Sequence, residues 1–494
     1  MEYDRIHTAE TTDTSYKHII RYTGIFGGVQ SLKIIVSMVR NKLTTYILGS
    51  VGLGLISVYN TISDFVVSCS NFGLPINATR ETSEVFETAT QEHINRLARV
   101  IRSWAIWTSI FAAFVCALLS PVLSYFFFDD KDYSRFPEVL LLIPVVVTFI
   151  ISEAECSILK GLRQLRRVAT LETFVAIAIL FLTVPSYYLW GMRGVIVALN
   201  VSSIASCIIH LYFSVPVVPY QVSLFSKSVF REGLPMMRRG VPFMMAGIVN
   251  TATTMIVIWM IKKYGMLSDV GYYRAGFTIM VAYAGLVFTA IEADYFPRLT
   301  SVNHNKELLN RTINQQIHVC VTLVTPFLIA LLLMMPIVIQ ILYKEDFLVL
   351  LPMTFVASYF IFLRAIMLPI SYTTLAKGDA IIFMVLDVFS DLVLLLSMWY
   401  FYTRFGLMGS GLALSVNALY DLLIALIVCG ALYGCRLTKQ TWKLSAMQFV
   451  MLTLVFCCCM QPVAWLKYTL CPLILCVSVY ISWRVLKSKA KQRE

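Results

Sequence analysis

Trp190-Gly191-Met192-Arg193-Gly194-Val195-Ile196-Val197-Ala198-Leu199-Asn200-Val201 reads almost as a draft of Phe405-Gly406-Leu407-Met408-Gly409-Ser410-Gly411-Leu412-Ala413-Leu414-Ser415-Val416. An aromatic residue, a glycine pair three apart, and Ala-Leu-x-Val recur at an offset of 215 residues. Working outward, Leu171-Glu172-x-Phe174 returns as Leu386-Asp387-x-Phe389 at the same offset. Leu159-Lys160-Gly161 resembles Ala376-Lys377-Gly378 at 217, Val51-Gly52 resembles Val270-Gly271 at 219, and Pro75 matches Pro297 at 222. A collinear series of this kind predicts a duplicated chain, with a few loop insertions accounting for the drift.

The duplicated unit is apolar. Mean hydropathy is +0.76 and only 14% of residues are charged, which excludes an ordinary soluble domain. A span needs about 20 apolar residues. Such segments fall near 22–39, 46–73, 104–127, 138–159, 170–190, 194–213, 241–261, 271–294, 316–342, 348–374, 380–402, 407–433, 445–460 and 465–485. The expected fold is therefore an all-α polytopic membrane protein of about 14 transmembrane helices. Its expected organisation is a cytoplasmic N-terminus (1–21), a six-helix bundle (22–215), an interfacial or cytoplasmic linker (216–240), a second six-helix bundle (241–435), an extra helix pair (436–487) and a basic tail (488–494). Six spans per repeat keep both copies in one orientation, implying a pseudo-two-fold axis along the membrane normal. Within the linker, Ser223–Met237 suits either an interfacial helix or a plain polar connector.

The net charge of +12 is a topology signal and does not point to nucleic acid. With the N-terminus in the cytoplasm, 27 of the 40 Lys and Arg residues fall on the cytoplasmic side, 10 on the other, and three within spans. This is the positive-inside bias, and it places both termini in the cytoplasm. The twelve cysteines lie in or beside spans without metal-ligand spacing, and read as small membrane hydrophobes. His210 and His318 read as satisfied core histidines, so no metal or cofactor is expected.

The three cations within spans are Lys33, Arg274 and Arg364. Each costs about 2.5–3.5 kcal/mol at mid-span and requires a partner or a water-filled cavity. Thr23, Gln30, Lys33, Ser37 and Arg40 form one polar stripe on the first helix; Ser57, Asn60, Thr61, Asp64, Ser68 and Asn71 form another on the second. Facing stripes would line an aqueous chamber; alternatively Lys33 and Asp64 pair and lock the helices. Asp64, Asp391 and Asp421 are the deep acids available for coupling to an ion or proton, whereas Glu172 sits in the first turn of its span, where a helix N-terminus favours an anion. There is no Walker A loop, G-x-S-x-G or HExxH, and no long outer loop to build a catalytic pocket. The chain is not expected to be an enzyme.

Tyr22-Thr23-Gly24-x-x-Gly27, Arg40-Asn41-Lys42, Leu48-Gly49-x-x-Gly52-x-Gly54 and Asn71-Phe72-Gly73-Leu74-Pro75 resemble the oligosaccharide flippases of the Wzx (O-antigen translocase) type. Those belong to the MOP superfamily, with the MATE multidrug exporters and the lipid II flippase. The resemblance covers essentially the whole chain. It implies a bacterial inner-membrane protein that moves a polyprenyl (undecaprenyl)-pyrophosphate-linked oligosaccharide to the outer leaflet by alternating access, for O-antigen or other surface polysaccharide. Other membrane proteins of polysaccharide assembly are the implied partners. Lys33, Arg274 and Arg364, with Arg40 and Gln30 beside them, suit the cationic cavity such a head group needs. Two alternatives stand: an ion-coupled exporter of small molecules, which wants an anionic chamber, and a membrane polymerase or acyltransferase, which wants a sizeable outer loop or a His/Asp pair.

Overall fold

The computed structural model describes residues 2–88, 90–128, 135–461 and 469–490. The side chains of 2–31, 87–88, 282–284, 286–287, 289–294, 380, 486 and 488–490 lie outside that description. The regular structure of the described residues is helical throughout. In chain order the helices are α1 (Glu2–Ser70), α2 (Leu74–Thr88), α3 (Gln91–Phe128), α4 (Phe136–Leu140), α5 (Ile143–Gly161), α6 (Leu165–Trp190), α7 (Gly194–Ser214) and α8 (Lys227–Tyr264). Then come α9 (Leu267–Phe277), α10 (Ala284–Ser301), α11 (Lys306–Leu342), α12 (Leu351–Ala376), α13 (Ala380–Tyr433), α14 (Lys439–Met460) and α15 (Cys471–Ala490). A π-helical stretch, Thr278–Tyr283, joins α9 to α10.

Among the described residues, nine helices are long and apolar enough to cross a membrane. Three of these are double-length: Leu32–Ser70, Leu165–Ser214 and Ile381–Tyr433. The non-helical corners inside them are glycines. Gly49 breaks α1 at φ 66°, Gly191 separates α6 from α7 at φ 54°, ψ −131°, and Gly406 breaks α13 at φ 56°, ψ −135°. The last two are the glycines of the repeated motif, and their backbones match. So does the crowding behind them. A Cβ on Gly194 would lie 2.2 Å from the Ser186 carbonyl oxygen, and one on Gly409 would lie 2.0 Å from that of Phe401. Gly191 and Gly406 supply the positive φ, and Gly194 and Gly409, three residues on, the close approach that a Cβ would block.

The duplication continues at the ends of α5 and α12. Arg163 (φ 54°) and Gly378 (φ 85°) take left-handed conformations 215 residues apart. The Gln164 amide donates to the Leu159 carbonyl at 3.0 Å, and Asp379 repeats this to Thr374 at 2.9 Å. The counterpart of Gly378 is therefore Arg163, and the offset of 217 read from Lys160-Gly161 is corrected to 215. The two glycines exist for different reasons. Gly161 is helical and lies against α2, where a Cβ would come within 2.4 Å of Thr82 Cβ; Gly378 supplies the left-handed cap. A third match is side chain to backbone: Asn200 Nδ2 donates to the Leu141 carbonyl at 3.0 Å, and Ser415 Oγ to that of Val356 at 2.8 Å.

The chain divides into two compact units, to Met255 and from Ile256, and the division falls inside α8. Ser223–Met237 forms no separate interfacial helix, because α8 starts at Lys227 and continues unbroken past Pro235 and Pro242. At 38 residues α8 is about 57 Å long, well beyond the hydrocarbon thickness. The core of the first unit joins Leu74 and Ala78 of α2, Ile94, Ala98, Ile101 and Ala105 of α3, Ala154 and Ile158 of α5, and Met236 and Met237 of α8. There α8 meets the turn before α2 backbone to backbone: a Cβ on Gly240 would lie 1.8 Å from the Phe72 carbonyl oxygen. Asn77 Nδ2 donates to the Met236 carbonyl at 3.1 Å, and Arg239 pairs with Glu81 at 3.0 Å.

Beside that contact lies the most buried charge pair of the unit. Arg102, counted from the sequence among the cytoplasmic basic residues, is 2% exposed, and Glu155 is 1% exposed. The guanidinium donates from Nε to Oε1 at 2.7 Å and from Nη2 to Oε2 at 2.9 Å. It also donates to the Pro219 carbonyl at 2.7 Å, and its plane lies 4.9 Å from the Tyr220 ring centre. Ser214 donates its hydroxyl to Glu155 Oε2. One arginine thus ties α3, α5, the end of α7 and the segment leading to α8. In the second unit, α14 docks on α11 through Asn314 and His318, both hydrogen-bonded to the Thr441 hydroxyl at 2.6 and 2.9 Å. His318 is a satisfied core histidine. Between α14 and α15, Ser478 Oγ donates to the buried Gln448 Oε1 at 2.9 Å.

The outer faces of these helices are apolar. Phe114, Leu118 and Val122 follow one another at four-residue spacing on α3, each more than 60% exposed, which suits hydrocarbon and would be untenable over this area in water.

Two predictions follow from this packing. Gly240→Ala should destabilise the detergent-purified protein by about 1–3 kcal/mol, because a backbone oxygen cannot move aside. Gly247→Ala, whose Cβ would have 3.8 Å of clearance to Ser68, should stay within about 0.5 kcal/mol of the parent; thermal unfolding distinguishes the two. Arg102→Met should cost about 3–5 kcal/mol by leaving Glu155 buried and unpaired, and Arg102→Met with Glu155→Leu should recover most of it.

Candidate functional site

The deep cations divide between the units. Lys33 and Arg40 lie on α1 in the first, one polar face and two turns apart; Arg274 of α9 and Arg364 of α12 lie in the second. The side chain of Gln30 lies outside the described residues.

In the first unit Lys33 Nζ donates to Glu172 Oε2 on α6 at 2.7 Å, with the two side chains 34% and 28% exposed. The sequence offered Asp64 as the partner of Lys33; the carboxylate it meets is that of Glu172. Asp64 is exposed on the second half of α1, where it has an interaction partner of its own. Its stripe does not form one aqueous face. Ser57 and Thr61 are buried, and the Thr61 hydroxyl donates to the Ser57 carbonyl one turn back at 2.8 Å. Such back-bonding satisfies a hydroxyl inside a helix without water. Arg40 is half-buried, within electrostatic reach of the Tyr187 hydroxyl on α6.

In the second unit the half-buried Arg364 has its guanidinium 5.7 Å from the Phe360 ring centre. It lies within electrostatic reach of Asp387 and Asp421, both on α13. Asn417 Nδ2 bridges the corner of α13, donating to Ser390 Oγ at 3.1 Å and to Asp421 Oδ2 at 3.3 Å. Asp391, one turn from Asp387, is half-buried and partnered. The structure therefore brings Arg364 and Asp421 together and leaves Asp64 in the other unit. Arg274 is half-buried and makes no ion pair among the described residues. One turn beyond it begins the π-helical stretch, Thr278–Tyr283, a local widening often found at functional positions.

Glu172 and Asp387 are the residues that sequence reasoning undervalued. They occupy equivalent positions in the two repeats; Glu172 pairs with Lys33, and Asp387 lies within electrostatic reach of Arg364. The signal was present: Leu-Glu-x-Phe and Leu-Asp-x-Phe carry an acid at the same place in both copies. Proximity to the helix start supplied a sufficient local explanation, and the cationic partner is remote in sequence. Chemically the pairs differ from Arg102–Glu155. That pair is sealed and fully hydrogen-bonded, whereas Lys33 is half-exposed on a single carboxylate and Arg364 is half-buried with acids only within electrostatic reach. Such cations can exchange one anion for another.

Comparisons with known proteins bear on the family and the fold. Residues 19–303 match the family model described as "Polysaccharide biosynthesis protein". No curated protein sequence matches the chain. Among solved structures, the lipid II flippase MurJ in its inward closed conformation aligns with a TM-score of 0.69 at 13% identity, covering 93% of this chain and 99% of that one. An inward-facing multidrug-resistance MATE transporter of the MOP superfamily aligns with a TM-score of 0.63 at 13% identity, covering 81% and 95%. An outward-facing one gives 0.52 at 13% identity, covering 83% and 93%. At such identity the likeness speaks for the fold, and it is the fold that the flippase resemblance implied. With more than half of its length matched by that model, this multi-pass membrane protein belongs to the polysaccharide biosynthesis protein family and has the fold of the MOP-superfamily transporters.

Proposed function

We propose that the protein flips a polyprenyl-pyrophosphate-linked oligosaccharide from the cytoplasmic to the outer leaflet of a bacterial inner membrane, by alternating access, for surface polysaccharide. Family membership supplies the process. The observation that carries the substrate class is the pair of exchangeable cations, Lys33 on Glu172 and Arg364 facing Asp387. A half-exposed ion pair contributes little, about 0–1 kcal/mol, so an incoming anion loses little by displacing the carboxylate. A pyrophosphate brings more charge and more acceptor oxygens than one carboxylate, and in a partly dry site it binds an ammonium or a guanidinium by charge-assisted hydrogen bonds. Arg364 adds a planar donor fork. Arg40 in the first unit and Arg274 in the second are further cations suited to an anionic head group, and the glycan and lipid tail make no demand on these charges.

The positive-inside count supports cytoplasmic termini and hence the direction of transport. Asp421 and Asp391 are the acids proposed for coupling, since Asp421 shares Arg364 with Asp387 and so changes its charge balance when an anion takes the arginine. Asp64, exposed and in the other unit, is the weaker member of the set. A second reading, an ion-coupled exporter of small cations, has one observation in its favour: the acids Asp387, Asp391 and Asp421 lie on the two arms of α13, either side of Gly406.

Mass spectrometry of co-purifying lipid decides between them. The parent protein should retain a polyprenyl-pyrophosphate glycan. Lys33→Ala with Arg364→Ala should lose at least about tenfold of it, since two charge-assisted contacts of about 1.5–3 kcal/mol each are removed, while unfolding at the parent temperature. Retention by both proteins would remove these residues from the site. Absence from both, together with dye efflux, would favour the exporter. Asp421→Asn should keep the lipid and slow glycan export, whereas unchanged export would exclude that acid from coupling.

A further inference from the structure

One cluster in the first unit is not used by this reading. Cys156 of α5, Glu172 of α6 and His210 of α7 bring a sulfur, a carboxylate oxygen and a ring nitrogen all within 4.8 Å of one another. Cys156 and His210 are buried, and Glu172 is half-exposed. Three helices each contribute one ligand, which sequence spacing could not reveal. It is the single such group of three among the described residues.

The details suit a metal ion. His210 Nδ1 lies 2.7 Å from the Ser206 carbonyl oxygen one turn back. A carbonyl only accepts, so Nδ1 carries the proton and Nε2 keeps its lone pair, the tautomer that ligating histidines show. Each protic ligand has an ammonium near it. Lys33 donates to Glu172 Oε2 at 2.7 Å, and Lys160, one turn on along α5, lies within electrostatic reach of Cys156 and Glu172. The Lys33 contact leaves Glu172 its second oxygen.

The duplication supplies an internal control. The equivalent positions in the second repeat, 215 residues on, are Ser371, Asp387 and Ala425. Only the acid is kept. The fold builds the same helix ends with serine and alanine there, so packing alone does not call for a thiol and an imidazole.

We infer that Cys156, Glu172 and His210 form a binding site for a borderline-soft divalent cation such as zinc. Thiolate and imidazole exclude magnesium and calcium as the preferred ion. Three protein ligands leave a fourth tetrahedral position for water or an oxyanion. Binding exchanges the Cys156 thiol proton for the metal and releases that proton to solvent. Because Glu172 also holds Lys33, occupancy loosens that lysine's carboxylate partner. The site stands whether or not the transported lipid is the one proposed above.

The test uses the purified full-length protein, reduced with a non-chelating phosphine and titrated with cobalt(II) alone. The expected result is one tightly bound ion per chain, with tetrahedral absorption bands and a thiolate-to-metal charge-transfer band, displaced by an equivalent of zinc. Cys156→Ser should abolish the charge-transfer band, and His210→Gln and Glu172→Gln should each weaken binding at least about tenfold. Lys160→Met, which removes a competing cation, should tighten it. Should Cys156→Ser fail to fold, Glu172→Gln and Lys160→Met decide by their opposite shifts. No saturable binding by the parent protein, or binding that persists in Glu172→Gln and His210→Gln and ignores Lys160→Met, would overturn the assignment and give the cobalt to other cysteines.

Discussion

Inside hydrocarbon there is no water to take a hydrogen bond, so each backbone amide must be satisfied within its own helix or by a neighbour. That constraint dictates the long uninterrupted helices of this chain and limits how it turns. Where two spans meet end to end, as at Gly191 and Gly406, the turn is made in a single left-handed residue and the following glycine packs on the preceding carbonyl. Where a span ends with a loop, as after α5 and α12, the last carbonyls are closed by amides from the left-handed residue and its successor. The backbone solves the same problem the same way in both repeats, even where the residue differs, as at Arg163 and Gly378.

The same scarcity of water sorts the charges. Arg102 and Glu155 are buried almost completely and have spent their hydrogen-bonding capacity on each other, on carbonyls and on Ser214. Such a pair carries a large cost if broken and has nothing left for a ligand. Lys33 and Arg364 stay half-exposed and lean on acids that hold equivalent places in the two repeats. Burial thus distinguishes a clamp from a site where residue type does not, since both kinds of pair set a basic residue against an acid.

Duplication also shows where the copies have parted. The acid is retained as Glu172 on α6 and Asp387 on α13, while the thiol and imidazole beside it exist in one copy only. The first unit places its acid among Lys33, Lys160, Cys156 and His210; the second places its acid among Arg364, Asp421 and the Asn417 bridge. Equivalent scaffolds therefore present different chemistry. Retained geometry with divergent side chains is a stronger guide to function than either feature alone.

The amino-acid sequence by itself determined the membrane character, the doubled architecture and the family resemblance. These rest on composition, on apolar run length and on motifs that recur along the chain, all of which are local or periodic. It also exposed Lys33, Arg274 and Arg364 as costly, because a charge in an apolar run needs no partner to be conspicuous. Only the tertiary structure decided which acid each cation meets, that Arg102 is sealed rather than solvated, that Ser57 and Thr61 face inward, and that Cys156, Glu172 and His210 converge. Those facts depend on how helices rotate and pack. A rotation about the helix axis carries a residue from lipid to core without changing one letter of the sequence around it.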